Sequence, residues 1–182
     1  MNVAIIGASG YTGLELIKIL INHPKFNIVY IANSSGEMNV QDLHPCLKNV
    51  INIDVSLANA SQVAKVADLA FLALPHKTAM SFAKELLDLG VKVIDLSADY
   101  RLELETYEKH YCEHIDKEHI KDAVYGLPEY FKNDIKTAKL IANPGCYPTA
   151  SLLALLPFID YIDTDAPIFI DAKSGVSGAG KN

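Results

Sequence analysis

Gly7-Ala8-Ser9-Gly10-Tyr11-Thr12-Gly13 is the stretch whose reading decides the fold. Residues 2–6 precede it; Val3, Ala4, Ile5 and Ile6 read as a buried strand. Residues 14–21 follow and read as a helix, with Leu16, Ile17, Ile19 and Leu20 expected to pack inward. Strand, glycine turn and helix, in that order, are the context that a dinucleotide-binding fingerprint requires. The spacing is Gly-x-x-Gly-x-x-Gly, not the commoner Gly-x-Gly-x-x-Gly. Gly7, Gly10 and Gly13 let a pyrophosphate approach the backbone, and the helix N-terminus stabilises its charge. Ser9 and Thr12 add hydroxyl donors, and Tyr11 joins them as a candidate contact.

The choice between NAD and NADP is read at the end of the second strand, expected over residues 27–32. An acidic residue about 20 positions past the glycines would bind the adenosine 2′-hydroxyl and select NAD. Here the tip reads Asn33-Ser34-Ser35-Gly36, and Glu37 lies beyond the glycine. Hydroxyls and amides accept a 2′-phosphate without repulsion, so the expected cofactor is NADP, although no Arg stands ready to pair with that phosphate.

Downstream, strand and helix patterns alternate. Residues 69–74 form a continuous apolar run, the mark of a strand buried on both faces. Residues 78–89 read as an amphipathic helix closed by Gly90, and residues 91–96 as the next strand. A short strand is expected over residues 52–55. The fold class is therefore α/β, a Rossmann-like, doubly wound, mostly parallel sheet. Ligands bind such sheets beyond the carboxyl ends of the strands. Pro75-His76, residues 97–101 and residues 143–146 all follow strands and are expected to converge there.

The second informative stretch is Asn143-Pro144-Gly145-Cys146-Tyr147-Pro148-Thr149. An apolar run over residues 139–142 precedes it and a helix over residues 150–156 follows. A cysteine at a helix N-terminus meets unpaired N–H groups and partial positive charge, which favours its nucleophilic form. Cys146 is thus the candidate nucleophile. The alternative is a small buried cysteine in a tight turn.

Half of the 182 residues are hydrophobic and the formal charge is −6, an ordinary globular composition that argues against nucleic acid as a partner. No apolar run reaches the roughly 18 residues of a membrane helix. Three cysteines without metal spacing, and no signal segment ahead of the first strand, lead to the expectation of a cytoplasmic protein. Residues 102–121 are polar and read as an exposed helix. His110 and His114 would share a face of it, but no carboxylate or cysteine set completes a metal site, so none is expected. Residues 167–172 read as a strand opening a new unit. The glycine-rich loop after it, with nothing following, leads to the expectation of a fragment of a longer protein.

Together the motifs resemble the N-acetyl-gamma-glutamyl-phosphate reductase family, relatives of aspartate-semialdehyde dehydrogenase. The resemblance rests on the two stretches above and on Ala73-Leu74-Pro75-His76, Asp95-Leu96-Ser97-Ala98-Asp99-Tyr100-Arg101, Tyr125-Gly126-Leu127-Pro128-Glu129 and Ser174-Gly175-Val176-Ser177-Gly178-Ala179-Gly180-Lys181. It implies an NADPH-dependent, aldehyde-forming oxidoreductase of arginine biosynthesis. In that chemistry the cysteine matching Cys146 takes the acyl group of N-acetylglutamyl 5-phosphate as a thioester, and hydride from NADPH reduces it to the 5-semialdehyde.

The resemblance also implies an NADP-binding domain over residues 1–145, the start of a catalytic and dimerisation domain of α+β type over residues 146–182, and a homo-oligomer when full-length. Arg101 and Asn143 become candidate substrate contacts, Arg101 through its planar fork; an ion pair of Arg101 with Asp99 is the competing reading. Ser34 and Ser35 are expected at the adenosine phosphate, and Pro75, Ser177 and Gly178 at the nicotinamide end. The family's acid/base histidine belongs to a part not present here, and none of the six histidines inherits that role. This chain alone is therefore expected to bind NADP but to turn over poorly.

Three other readings stay open. One is an acyl-phosphate reductase of the aspartate-semialdehyde dehydrogenase type. Another is a non-catalytic dinucleotide-binding module. The third is a P-loop nucleotide phosphohydrolase, from Gly175 to Lys181, although Asn182 stands where Ser or Thr would hold magnesium.

Overall fold

The computed structural model describes residues 1–180. The first strand, β1 (Asn2–Ile6), leads through the glycine turn into α1 (Tyr11–Leu20) and back to β2 (Asn27–Asn33). Short elements follow: β3 (Met38–Asn39), α2 (Val40–Leu43), β4 (Asp54–Leu57) and α3 (Ala60–Val66). The chain then crosses back through β5 (Leu69–Leu72), α4 (Thr78–Asp88) and β6 (Lys92–Asp95). The last part holds α5 (Leu104–His110), β7 (Val124–Tyr125), α6 (Pro128–Thr137), β8 (Leu140–Ala142) and α7 (Cys146–Leu155).

The strands form one sheet in the order β3-β4-β2-β1-β5-β6-β8-β7. Every neighbouring pair is parallel except β3 with β4. The chain leaves β1 towards β2 and returns to its other side as β5, so the order reverses between β1 and β5. That is the switch point where a doubly wound sheet opens a crevice.

Both sheet faces are covered, which explains the unbroken apolar runs. On one face Met80, Ala83 and Leu86 of α4 pack with Ala4, Ile6, Leu72 and Val93. On the other, Ile17 and Leu20 of α1 pack with Val3, Ile5, Ile31 and Phe71. Each of the larger side chains among these contributes about 1.5–3 kcal/mol by leaving water. Helix α4 ends as its glycine predicts: Gly90 has φ 82°, its N–H donates to the Leu87 carbonyl, and the Val91 N–H donates to that of Leu86.

Several expectations are corrected. Helix α1 starts three residues before the predicted position, so Tyr11, Thr12 and Gly13 form its first turn. Ile19 is 66% exposed, because at 100° per residue it points away from the Gly13–Ile17–Leu20 face. The short strand sits at Asp54–Leu57, two residues along from the expected place.

Residues 102–121 are not one exposed helix. Helix α5 stops at His110, so His110 and His114 share no helix face, and Tyr107, His114 and Asp116 are fully buried. Residues 167–172 do not form a strand, because no described strand lies beside them to complete a hydrogen-bond ladder. Helix α7 is apolar around its whole circumference yet buries no residue, and Phe169 after it is 93% exposed.

Candidate functional site

The glycine turn is held from behind. The N–H groups of Gly7 and Ala8 both donate to the Ala32 carbonyl, at 2.9 and 3.0 Å. The buried His44 Nε2 donates to the Ala8 carbonyl at 2.7 Å. Gly7 has φ 93°, and a Cβ there would stand 2.2 Å from the Ala73 carbonyl oxygen. A Cβ on Gly13 would stand 2.5 Å from the Gly7 carbonyl oxygen, so this glycine lets α1 lie close against the turn.

Gly10 differs: nothing stands within 4 Å of its Cβ position, and its backbone borders open space. Among the described residues, no protein acceptor takes the N–H of Tyr11, Thr12 or Gly13. These orphan donors at the positive end of α1 suit a pyrophosphate.

Cys146 is the first residue of α7, exposed, with Gly145 as the N-cap. The Thr149 hydroxyl and N–H both donate to the Gly145 carbonyl, which fixes this first turn. Pro148 occupies a position whose N–H would have no partner.

A cavity of about 600 Å³ brings most of the candidates together: Gly10, Tyr11, Thr12, Pro75, Arg101, Asn143, Cys146, Ser177 and Gly178 line it. Ala73, Leu74, Leu96, Pro144, Gly145 and Gly180 complete its wall. Cys146 also lines a neighbouring cavity of about 580 Å³, with Ser151, Lys173 and Ser174. Gly7 and Gly13 lie behind the wall. Ser9, Ser34 and Ser35 are exposed at the sheet's carboxyl edge, outside the cavity lining.

Arg101 makes no ion pair with Asp99. Its Nε donates to the Asn143 carbonyl at 2.8 Å and its Nη2 to the Leu96 carbonyl at 2.7 Å. One guanidinium thus ties the loop after β6 to the turn after β8, with its Nη1 directed towards Gly145. His76 stands beside this loop: its Nδ1 accepts the Ala98 N–H at 3.0 Å and its ring meets Tyr111 edge-on.

Beneath the loop runs a buried polar network, and three of its members, Tyr107, His114 and Asp116, lie in the segment expected as exposed surface. Asp95 accepts both the N–H and the hydroxyl of Ser97, at 3.0 and 2.6 Å. Burial pushes its carboxyl up to about 6, against these two bonds. Asp99 accepts the N–H groups of Lys77 and Met80, at 2.9 and 3.0 Å, and so caps α4. It also accepts the Tyr107 hydroxyl at 2.7 Å.

His114 donates through Nε2 to the Asp99 carbonyl at 2.9 Å, while its Nδ1 accepts the Asp116 N–H at 3.0 Å. Tyr100 donates to Asp116 at 2.8 Å; burial first, and that carboxylate second, hold its phenol well above the usual tyrosine range. No sequence signal marked His44, Tyr107 or Asp116, because isolated polar residues carry no period; His114 carries only its four-residue spacing from His110, and the helix ends before that spacing can place the two on one face. Asn33 had a signal, its place about 20 residues past the glycines, and was read only as part of the tip.

Among the described residues no group of three or more His, Cys, Asp or Glu is placed to hold a metal ion. No helix of those residues is long and apolar enough to cross a membrane. The strand that a P-loop requires before Gly175 is missing, and Lys181 lies outside the described residues.

A parallel sheet with its order reversed at a glycine turn, facing a cysteine on a helix N-terminus, defines a dinucleotide-binding protein with a thiol in its cleft. The chain belongs to the semialdehyde dehydrogenase family: the model "Semialdehyde dehydrogenase, NAD binding domain" matches residues 2–138. The model "Semialdehyde dehydrogenase, dimerisation domain" matches residues 146–182.

Among known proteins, the chain is 60% identical over 181 residues to the N-acetyl-gamma-glutamyl-phosphate reductase of Sulfurovum sp. (strain NBC37-1), covering 100% of this chain and 54% of that protein. It is 59% identical over 179 residues to the enzyme of that name from Wolinella succinogenes, covering 98% and 53%. The chain thus spans about half the length of the curated relatives it matches. In fold it is similar to an aspartate semialdehyde dehydrogenase from Candida albicans solved with NADP, with TM-score 0.65 at 21% identity over 88% of this chain and 47% of that one.

Proposed function

We propose that this chain is the dinucleotide-binding and nucleophile-bearing part of an N-acetyl-gamma-glutamyl-phosphate reductase. The reaction is reduction of N-acetyl-L-glutamyl 5-phosphate by NADPH to N-acetyl-L-glutamate 5-semialdehyde and phosphate, a step of arginine biosynthesis. The observation that carries this reading is the wall shared by Cys146 with Gly10, Tyr11 and Thr12. The relatives at 60% and 59% identity favour the acetylglutamyl substrate over the aspartyl one.

The residues present fit the cofactor. The free N–H groups of the α1 first turn and the Thr12 hydroxyl would hold the pyrophosphate, and the bare face of Gly10 would let it approach. Ser34 and Ser35 would meet the adenosine phosphate. Pro75, Ser177 and Gly178 would border the nicotinamide end. When bound, NADPH supplies the hydride.

The chain's own residues supply the thioester-forming step. The Cys146 sulfur attacks the acyl carbon, a C–S bond forms, and the bond to the phosphate oxygen breaks with its electron pair leaving on phosphate. The N–H groups at the start of α7 face the charge that develops there. Arg101 holds the cysteine turn in place and, through the remainder of its guanidinium, borders the substrate with Asn143. Residues 1–145 form the dinucleotide-binding unit, and residues 146–182 begin the unit that brings two copies together in a homo-oligomer.

The test uses the full-length polypeptide that contains this chain. NADPH oxidation should follow addition of N-acetylglutamyl phosphate, with phosphate released in equal amount. Oxidation with aspartyl phosphate alone would assign the protein to the related dehydrogenase.

A further inference from the structure

Asn33 closes β2 and is 6% exposed. Its Nδ2 donates to the Ser9 hydroxyl at 3.1 Å. Its Oδ1 accepts the N–H groups of Ser35 and Gly36, at 2.9 and 2.6 Å. Its backbone carbonyl takes the Ala58 N–H at 3.0 Å. One buried side chain therefore joins the glycine turn to the tip after β2. Gly36 locks that tip: its φ is 64°, and a Cβ there would stand 2.7 Å from the Leu57 nitrogen.

This is the place, at the carboxyl end of the second strand, where NAD-selective folds carry an acid that binds the ribose 2′-hydroxyl. A carboxylate has the shape of this amide. It could accept the same two N–H groups and, in place of donating to Ser9, accept its hydroxyl. What it would add is a negative charge beside the adenosine ribose.

We infer that the neutral amide of Asn33 decides between a 2′-phosphate and a 2′-hydroxyl, and that the exposed serines beside it do not. The inference rests on the NADP reading above. The side chain performs the acid's structural task, bridging turn and tip, while leaving the site free of the charge that would repel a phosphate.

The experiment is equilibrium titration of the 182-residue chain with NADPH and with NADH, read by nicotinamide fluorescence. Wild type should bind NADPH more tightly. Asn33→Asp should lose affinity for NADPH by roughly tenfold or more, by charge repulsion at short range, and keep or gain affinity for NADH. Asn33→Ala, which removes the bridge without adding charge, should weaken both dinucleotides alike. Equal losses for both dinucleotides in Asn33→Asp would mean that the residue is only a brace, and an unchanged NADPH preference would overturn the inference while sparing the cofactor reading. A wild type that prefers NADH would overturn both.

Circular dichroism checks that the variants fold. Should Asn33→Asp fail to fold, Ser34→Ala and Ser35→Ala keep the test open. A preference for NADPH over NADH that stays within about twofold of wild type in both supports selection at Asn33, and a preference lost in either assigns the choice to the serines and overturns the inference.

Discussion

The Nε of Arg101 donates to the carbonyl of Asn143 at 2.8 Å, joining the loop after β6 to the turn that presents Cys146. Its Nη2 bond to Leu96 makes the same side chain a clasp between neighbouring strand ends. Each bond from a charged donor is worth about 1.5–3 kcal/mol, less where water competes. Arg101→Ala should therefore lower stability by about 2–4 kcal/mol, and Arg101→Lys, with one compact donor group, should recover only part of that. Thermal unfolding of the three proteins checks this, and equal midpoints would show that the clasp holds nothing.

Cys146→Ser should leave the fold intact, because the residue is exposed, and its unfolding free energy should stay within about 0.5 kcal/mol of wild type. In the full-length protein the same change should cut acyl-phosphate reduction by on the order of 10³-fold. Mass spectrometry after brief iodoacetamide treatment should find Cys146 alkylated well before Cys46, which is exposed too, and before the half-buried Cys112. Faster labelling of Cys112 would count against the assignment.

The glycines of the turn separate by role. Gly10→Ala meets no atom, so stability should hold while dinucleotide affinity falls, since a methyl would intrude on the space proposed for the pyrophosphate. Gly13→Ala forces α1 away from the turn and should cost about 1–3 kcal/mol in stability as well as affinity. Paired melts and NADPH titrations distinguish them; a Gly10→Ala chain with unaltered affinity would place the ligand elsewhere.

Asp95 gives a pH signature. Its buried carboxyl is raised from 3.8 to about 6, so the folded state holds more protons than the unfolded state between those values. Its contribution is greatest below pH 4, declines as pH rises towards 6, and is flat above that. The difference is about 3 kcal/mol, at 1.36 kcal/mol per unit. Asn at this position removes the titration, so urea unfolding between pH 4 and 7 should lose that part of its slope in Asp95→Asn.

What the sequence made legible were features with a period or a fixed spacing. The apolar run Leu69–Leu72, the glycine turn and the cysteine turn each carry their own signature. The buried network around His114 does not. Its members alternate with Glu and Lys on a segment whose composition resembles solvated surface, and only the packing of Tyr107 and His114 against Asp99 takes them inside. Asn33 shows the intermediate case: its position was marked by spacing, but its work depends on Ser9, which lies 24 residues away. The apolar residues 168–170 misled in the other direction, since β propensity without a neighbouring strand yields no ladder.

Helix α7 offers water its Leu and Ala side chains, Tyr147 and a few small polar groups, and the chain after it adds Phe158, Tyr161 and Phe169. A surface of that kind adheres to dyes, to resins and to other copies of itself. The behaviour of this 182-residue polypeptide in solution should therefore follow the region that carries the nucleophile more than the well-covered sheet, and a sedimentation run at rising concentration would show it.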